Sequence, residues 1–83
     1  MRRHAEVIWR QVDGRVVGLD LRSSRYFSLN GSGAVLWEAL EDDVAPEQLA
    51  EVLVGRYGIE RSEADTDVAA FVKELSSNGL LEQ

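Results

Sequence analysis

The stretch Arg25–Trp37 fixes the plan of this chain: Arg-Tyr-Phe-Ser-Leu-Asn followed at once by Gly-Ser-Gly-Ala-Val-Leu-Trp. Tyr26–Leu29 is aromatic and alternating, which suits a pleated, half-buried strand. Tyr26 and Ser28 fall on one side of that strand, Phe27 and Leu29 on the other. Asn30 or Ser32 can cap a helix start, and Gly31 and Gly33 loosen the junction between strand and helix. Beyond it Leu36, Trp37 and Leu40 recur at one-turn spacing and give the helix a broad apolar face. The junction predicts strands before it and helices after it.

The flanking sequence agrees. Val7–Val12 is a β-branched and aromatic run that stops at Asp13-Gly14, a hairpin dipeptide in which both residues tolerate positive φ. Arg15–Leu21 follows, with Val17, Leu19 and Leu21 on one face and Gly18 and Asp20 on the other, so the second strand reads as one-sided. With Arg25–Leu29 this makes a three-stranded meander, too small to stand without something packed on its face. Pro46 suits a first helical position, although Ala45 before it is a poor cap. Leu49, Val52, Leu53 and Tyr57 then line one face up to Gly58, a helix stop. A third helix opens near Ser62 and Asp65, a weak capping box, carries Ala64, Val68, Phe71, Val72 and Leu75, and ends at Asn78-Gly79. Leu80 and Leu81 can fold back as an apolar clasp. Three strands and then three helices predict an α+β domain of winged-helix type, a three-stranded antiparallel sheet followed by three helices.

At 83 residues the chain makes a single domain over 1–83, with 1–5 expected as a flexible basic tail. A domain of this size buries only about 60–65% of its unfolded surface, so no deep catalytic cavity is expected. There is no cysteine, which removes disulfides, thiolate metal sites and cysteine nucleophiles together. No run of about 18 apolar residues is present, and the expectation is a cytoplasmic protein without membrane contact.

The net charge of −6 is unevenly spread: residues 1–30 carry six arginines against three carboxylates, and residues 31–83 three cations against twelve carboxylates. A basic strand layer therefore meets an acidic helical layer. A nucleic-acid module needs cations where it meets phosphate, yet the third helix holds Glu63, Asp65, Asp67 and Glu74 against Lys73 alone, which argues against nucleic-acid binding. The sole histidine, His4, lies in the terminal tail, and no phosphate loop, metal-ligand spacing or nucleophile pattern is present. The expectation is no enzymatic activity, no cofactor and no metal.

What remains is binding, and from Val16 to Leu81 the order of parts resembles the PqqD-like domains that recognise precursor peptides in the biosynthesis of ribosomally made, post-translationally modified peptides. The residues carrying the resemblance are Arg25–Asn30, Gly33, Trp37, Leu40, Leu49-Ala50, Leu53, Tyr57, Asp67-Val68, Phe71-Val72, Leu75 and Gly79-Leu80-Leu81. As a freestanding domain the chain is most similar to the small leader-binding proteins of lasso-peptide clusters, with the PqqD type of quinone-cofactor pathways as the close competitor.

The resemblance implies that a leader peptide adds as an extra strand to the third strand and rests its side chains against the third helix. A bare edge offers main-chain hydrogen bonds and the pocket beside it reads alternate side chains. The implied peptide-binding residues are Arg25, Tyr26, Phe27, Ser28, Leu29, Asp67, Val68, Phe71, Val72 and Leu75, with Phe27 and Leu29 expected to supply edge donors, and one or two of the apolar helix residues expected in the cleft rather than the core. Asp67 is a candidate partner for a basic leader residue or for Arg25. Trp37 reads as core, and Trp9 as a possible second contact. The implied partners are the leader peptide and a separate leader peptidase or maturation enzyme. A free edge also leaves pairing between two copies open. The rival reading, of a different class, is a docking or regulatory subunit with no affinity for a free peptide.

Overall fold

Over residues 1–82, which the computed structural model describes, the chain forms β1 (Arg2–Arg3), β2 (Val7–Val12), β3 (Arg15–Asp20), β4 (Arg25–Leu29), α1 (Gly31–Ala39), α2 (Pro46–Tyr57), α3 (Arg61–Ser77) and β5 (Leu81–Glu82). Asp13 and Gly14 take φ of 51° and 78° in the β2–β3 turn, the doubly left-handed geometry whose twist matches that of the strands it joins. The three-stranded antiparallel sheet runs β2-β3-β4, so β4 is an edge, as the sequence predicts.

The face of β3 that meets the helices is the opposite of the one its hydropathy suggests. Val16, Gly18 and Asp20 are buried, whereas Val17 and Leu19 are half-buried on the outer face and Leu21 is exposed. The reason lies in the aromatics. Gly18 pairs with Trp9 on one side and Phe27 on the other, and the space its missing Cβ leaves is filled by the Phe27 ring: a Cβ there would stand 2.3 Å from Phe27 Cζ. The Trp37 ring of α1 then seats edge-on against Phe27 and Trp9, at centroid separations of 5.2 and 6.2 Å. Burying three large rings over a glycine removes more apolar area from water than burying Val17, Leu19 and Leu21 would.

The rest of the core comes from the helices: Leu36, Trp37, Leu40, Leu49, Leu53 and Val68 are fully enclosed together with Val16. Asn30 occupies the cap position of α1 but makes no side-chain cap bond. α2 starts at Pro46, and the alanine before it is compensated by Gln48, whose Oε1 accepts a hydrogen bond from the Ala45 N–H at 2.8 Å. α3 begins at Arg61, ahead of the Ser62 capping box expected from sequence, and its first turn is tied by Arg61 Nε to Asp65 Oδ1 at 2.9 Å.

The expected flexible tail is instead part of the fold. Arg2 and Arg3 pair with Glu82 and Leu81 in a second, two-stranded sheet, and the apolar clasp of Leu80 and Leu81 is buried beneath it. Arg3 donates from Nη1 to the Trp37 carbonyl at 2.7 Å and lies over the Trp9 ring at 4.8 Å. A cation stacked on an indole and bonded to a carbonyl holds a strand of two residues that pairing alone would not. Among the described residues no helix is long and apolar enough to cross a membrane.

Candidate functional site

The edge of β4 can be read group by group. Leu21 N–H donates to the Glu6 carbonyl at 2.9 Å, just beyond the Val7–Asp20 pair. Antiparallel pairs alternate between bonded and non-bonded, so Ile8–Leu19, Arg10–Val17 and Val12–Arg15 are the bonded pairs of β2 and β3. Val16, Gly18 and Asp20 therefore turn their backbone groups to β4 and meet Leu29, Phe27 and Arg25. The backbone groups of Tyr26 and Ser28 point the other way, off the sheet. Phe27 and Leu29, expected from sequence to supply edge donors, instead spend their N–H groups on β3; the free donors are those of Tyr26 and Ser28.

Side chains follow the opposite alternation. Tyr26, 83% exposed, stands on the outer face beside Ile8 and Leu19, while Arg25, Phe27 and Leu29 turn toward the helices. Between β4 and α3 runs a groove in two connected parts. One, of about 620 Å³, reaches from Asp20, Arg22 and Arg25 past Phe27 and Leu29 to Leu75 and Leu80. The other, of about 370 Å³, continues past Leu29 and Phe71 to Asn30, Ser32 and Gly33 at the start of α1. Ser28, Leu29, Glu74 and Leu75 belong to both. Those volumes hold several side chains, and the floor under Leu29 and Leu75 is apolar.

The groove is closed at its Arg25 end by a built polar lock. Arg22 grips Asp20 with Nε and Nη2, each at 3.0 Å, adds its backbone N–H at 3.0 Å, and passes Nη2 on to the Gly79 carbonyl beyond α3. The hydrogen bonds from Arg22 hold the Asp20 carboxyl below the usual aspartate range, although partial burial opposes them, and the same pairing raises Arg22.

The sequence-derived site residues divide accordingly. Arg25, Phe27, Ser28, Leu29, Phe71 and Leu75 are brought together along the groove, and Tyr26 joins through its backbone. Phe71 and Leu75 serve core and groove at once, being almost wholly buried yet lining the floor. Val68 is enclosed at 2% exposure. Val72 turns away, into a separate cleft between α2 and α3 with Pro46 and Ala69. Asp67 is not beside Arg25; it borders the corner made by Gly31, Ser32, Tyr57 and Ile59. Sequence reading missed Glu74, Ala70, Ser77 and Asn78 on the α3 wall, and Arg15 opposite. A signal was present for the helix residues, since Glu74 follows Phe71 by three positions and Asn78 follows Leu75 by three, with Ala70 and Ser77 four before and three after Glu74, but their polar or small character reads as ordinary solvent surface.

Residues 15–81 match the family model described as Coenzyme PQQ synthesis protein D (PqqD). The chain belongs to the PqqD family. Two solved structures share its architecture closely. One is described as TbiB1 in complex with the TbiA(beta) leader peptide, with 29% identity, a TM-score of 0.91, and coverage of 99% of this chain and 95% of that one. The other is lasso peptide synthetase B1 complexed with the leader peptide, with 35% identity, a TM-score of 0.84, and coverage of 99% and 96%. No curated protein matches the chain. The PqqD-family fold, α+β with the sheet ahead of the helices, is thus the one expected from sequence.

Proposed function

We propose that this protein binds the leader segment of a ribosomally made precursor peptide, by strand addition to β4 over the groove against α3, and delivers it to a separate maturation enzyme of a lasso-peptide pathway. It works without making or breaking bonds itself, in the cytoplasm where the precursor is translated. The observation that carries the reading is the bare β4 edge, with Tyr26 and Ser28 offering backbone groups unpaired among the described residues, directly above a polar-rimmed groove whose floor is made by Leu29, Phe71 and Leu75. An extended peptide gains main-chain hydrogen bonds from such an edge and specificity from the pockets that receive alternate side chains. That two neighbours sharing the full length of this fold were solved with leader peptides supports the same occupant here. That one of them is a lasso peptide synthetase B1 favours this reading over the quinone-cofactor pathway of the family's description.

The test is a fluorescence-anisotropy titration with a synthetic leader peptide from the small open reading frame next to this gene, at low and high salt. Saturable binding, displaced by unlabelled leader and weakened only modestly by salt, is the expected result. A folded protein that does not bind would favour a docking subunit with no free-peptide affinity.

A further inference from the structure

The α3 wall of the groove carries one carboxylate that no other described residue engages. Glu74 lines both parts of the groove beside Leu75. Its side chain enters no ion pair or hydrogen bond among the described residues; only its backbone carbonyl is used, by Asn78. Asp20, the other carboxylate along the groove, is already held by Arg22. Arg25 and Arg15 border the groove toward its two ends, neither within ion-pair distance of Glu74. The middle of the groove therefore presents an apolar floor with a single free negative charge on its rim.

A strand laid along β4 turns every second side chain inward, with successive inward residues about 7 Å apart. One such residue can fill the floor made by Leu29, Phe71 and Leu75; the next lies under the rim. A neutral or acidic residue there would strip water from Glu74 without replacing it or repel it outright, whereas a lysine or arginine can lay its aliphatic stem on Leu75 and bring its charged head to the carboxylate. We infer that Glu74 is a specificity-determining residue of the groove, selecting a basic side chain two positions from the apolar anchor of the bound peptide. Asp67, the acidic candidate suggested by sequence, lies off the groove. This inference rests on strand addition to β4.

The experiment selects a phage-displayed library of random dodecapeptides against three proteins, each checked for folding by circular dichroism: wild type, Glu74→Lys and Ser28→Pro. The wild type is expected to enrich peptides with lysine or arginine two positions from an apolar residue. Glu74→Lys should enrich aspartate or glutamate at that position. A selected basic peptide should lose about tenfold in affinity for Glu74→Lys and recover it when its basic residue becomes glutamate, the difference shrinking at high salt. If Glu74→Lys enriches the same consensus as wild type while Ser28→Pro enriches neither, the role of Glu74 is overturned and strand addition stands. If wild type and Ser28→Pro enrich the same peptides, or no peptides at all, strand addition fails and the inference falls with it.

Discussion

Gly18 makes the room in which the aromatic cluster of this fold is packed. The Phe27 ring occupies the space over its Cα, and Trp37 meets that ring edge-on. Gly18→Ala should therefore push Phe27 off its position and destabilise the protein by about 1–3 kcal/mol, read as a lowered urea midpoint, with a change in tryptophan fluorescence because Trp9 and Trp37 share the cluster. Asp20, on the same strand face, gives the pH dependence. Arg22 lowers its carboxyl pKa, so the stability it contributes is fully present above the ordinary aspartate value of about 4 and is lost as pH falls through the lowered one. Asp20→Asn should be less stable than wild type at neutral pH, with the gap closing below about pH 4; denaturant melts at pH 7 and pH 3 read the difference. Gly18 and Asp20 are also where hydropathy misled, since a glycine and an aspartate do not announce a core face. Only the partners they accommodate, an aromatic ring and a guanidinium, make that face the buried one.

Among the elements, β4 shows what pattern can and cannot convey. Its existence, bounds and the sides taken by Tyr26, Phe27, Ser28 and Leu29 were legible from alternation, and its edge position followed from the meander order. Which of its N–H groups are free was not, because hydrogen-bond phase is set by the closing pair of the β2–β3 turn rather than by any property of β4 itself. That phase separates two proline substitutions. Ser28→Pro removes an outward donor and leaves the β3 ladder intact, the one setting in which a strand tolerates proline; the protein should fold and lose at least tenfold in leader affinity. Phe27→Pro deletes a bond to β3 and should cost about 1–3 kcal/mol of stability. Circular dichroism melts and the anisotropy titration together separate the two outcomes, and a folded Ser28→Pro that binds normally would remove β4 as the docking edge. The helix contribution to the groove was legible only in part. Phe71 and Leu75 stood out as apolar, but Val72 is as apolar as they are and lies about a quarter turn round the helix from Phe71, so which apolar positions face β4 and which face α2 is decided by how α3 packs between them and not by its hydropathy.

At the scale of the whole molecule, binding and stability draw on different parts of the fold. The β4 edge is left bare above the groove, while the terminal strands form a separate two-stranded sheet tied to the aromatic cluster by Arg3, which lies over Trp9 and is bonded to the Trp37 carbonyl. A short pair such as β1–β5 has little stability of its own, and the charge runs in Met1–His4 gave no sign that it forms, because its partners Leu81 and Glu82 lie at the far end of the sequence. Arg3 joins the clamp to the aromatic core. Its guanidinium is partly withdrawn from water, and that burial pulls its pKa down while Glu41 and Glu38 act against the shift; a guanidinium keeps its proton at ordinary pH, so the contact persists across the working range. Arg3→Ala should loosen the clamp and lower stability by about 1–2 kcal/mol without touching the β4 donors or the groove floor. Leader affinity should stay within about twofold of wild type at temperatures where both proteins are folded. If affinity fell in step with stability, the clamp would be holding the groove open through Trp37 and Phe27, and clamp and β4 edge would act as one unit.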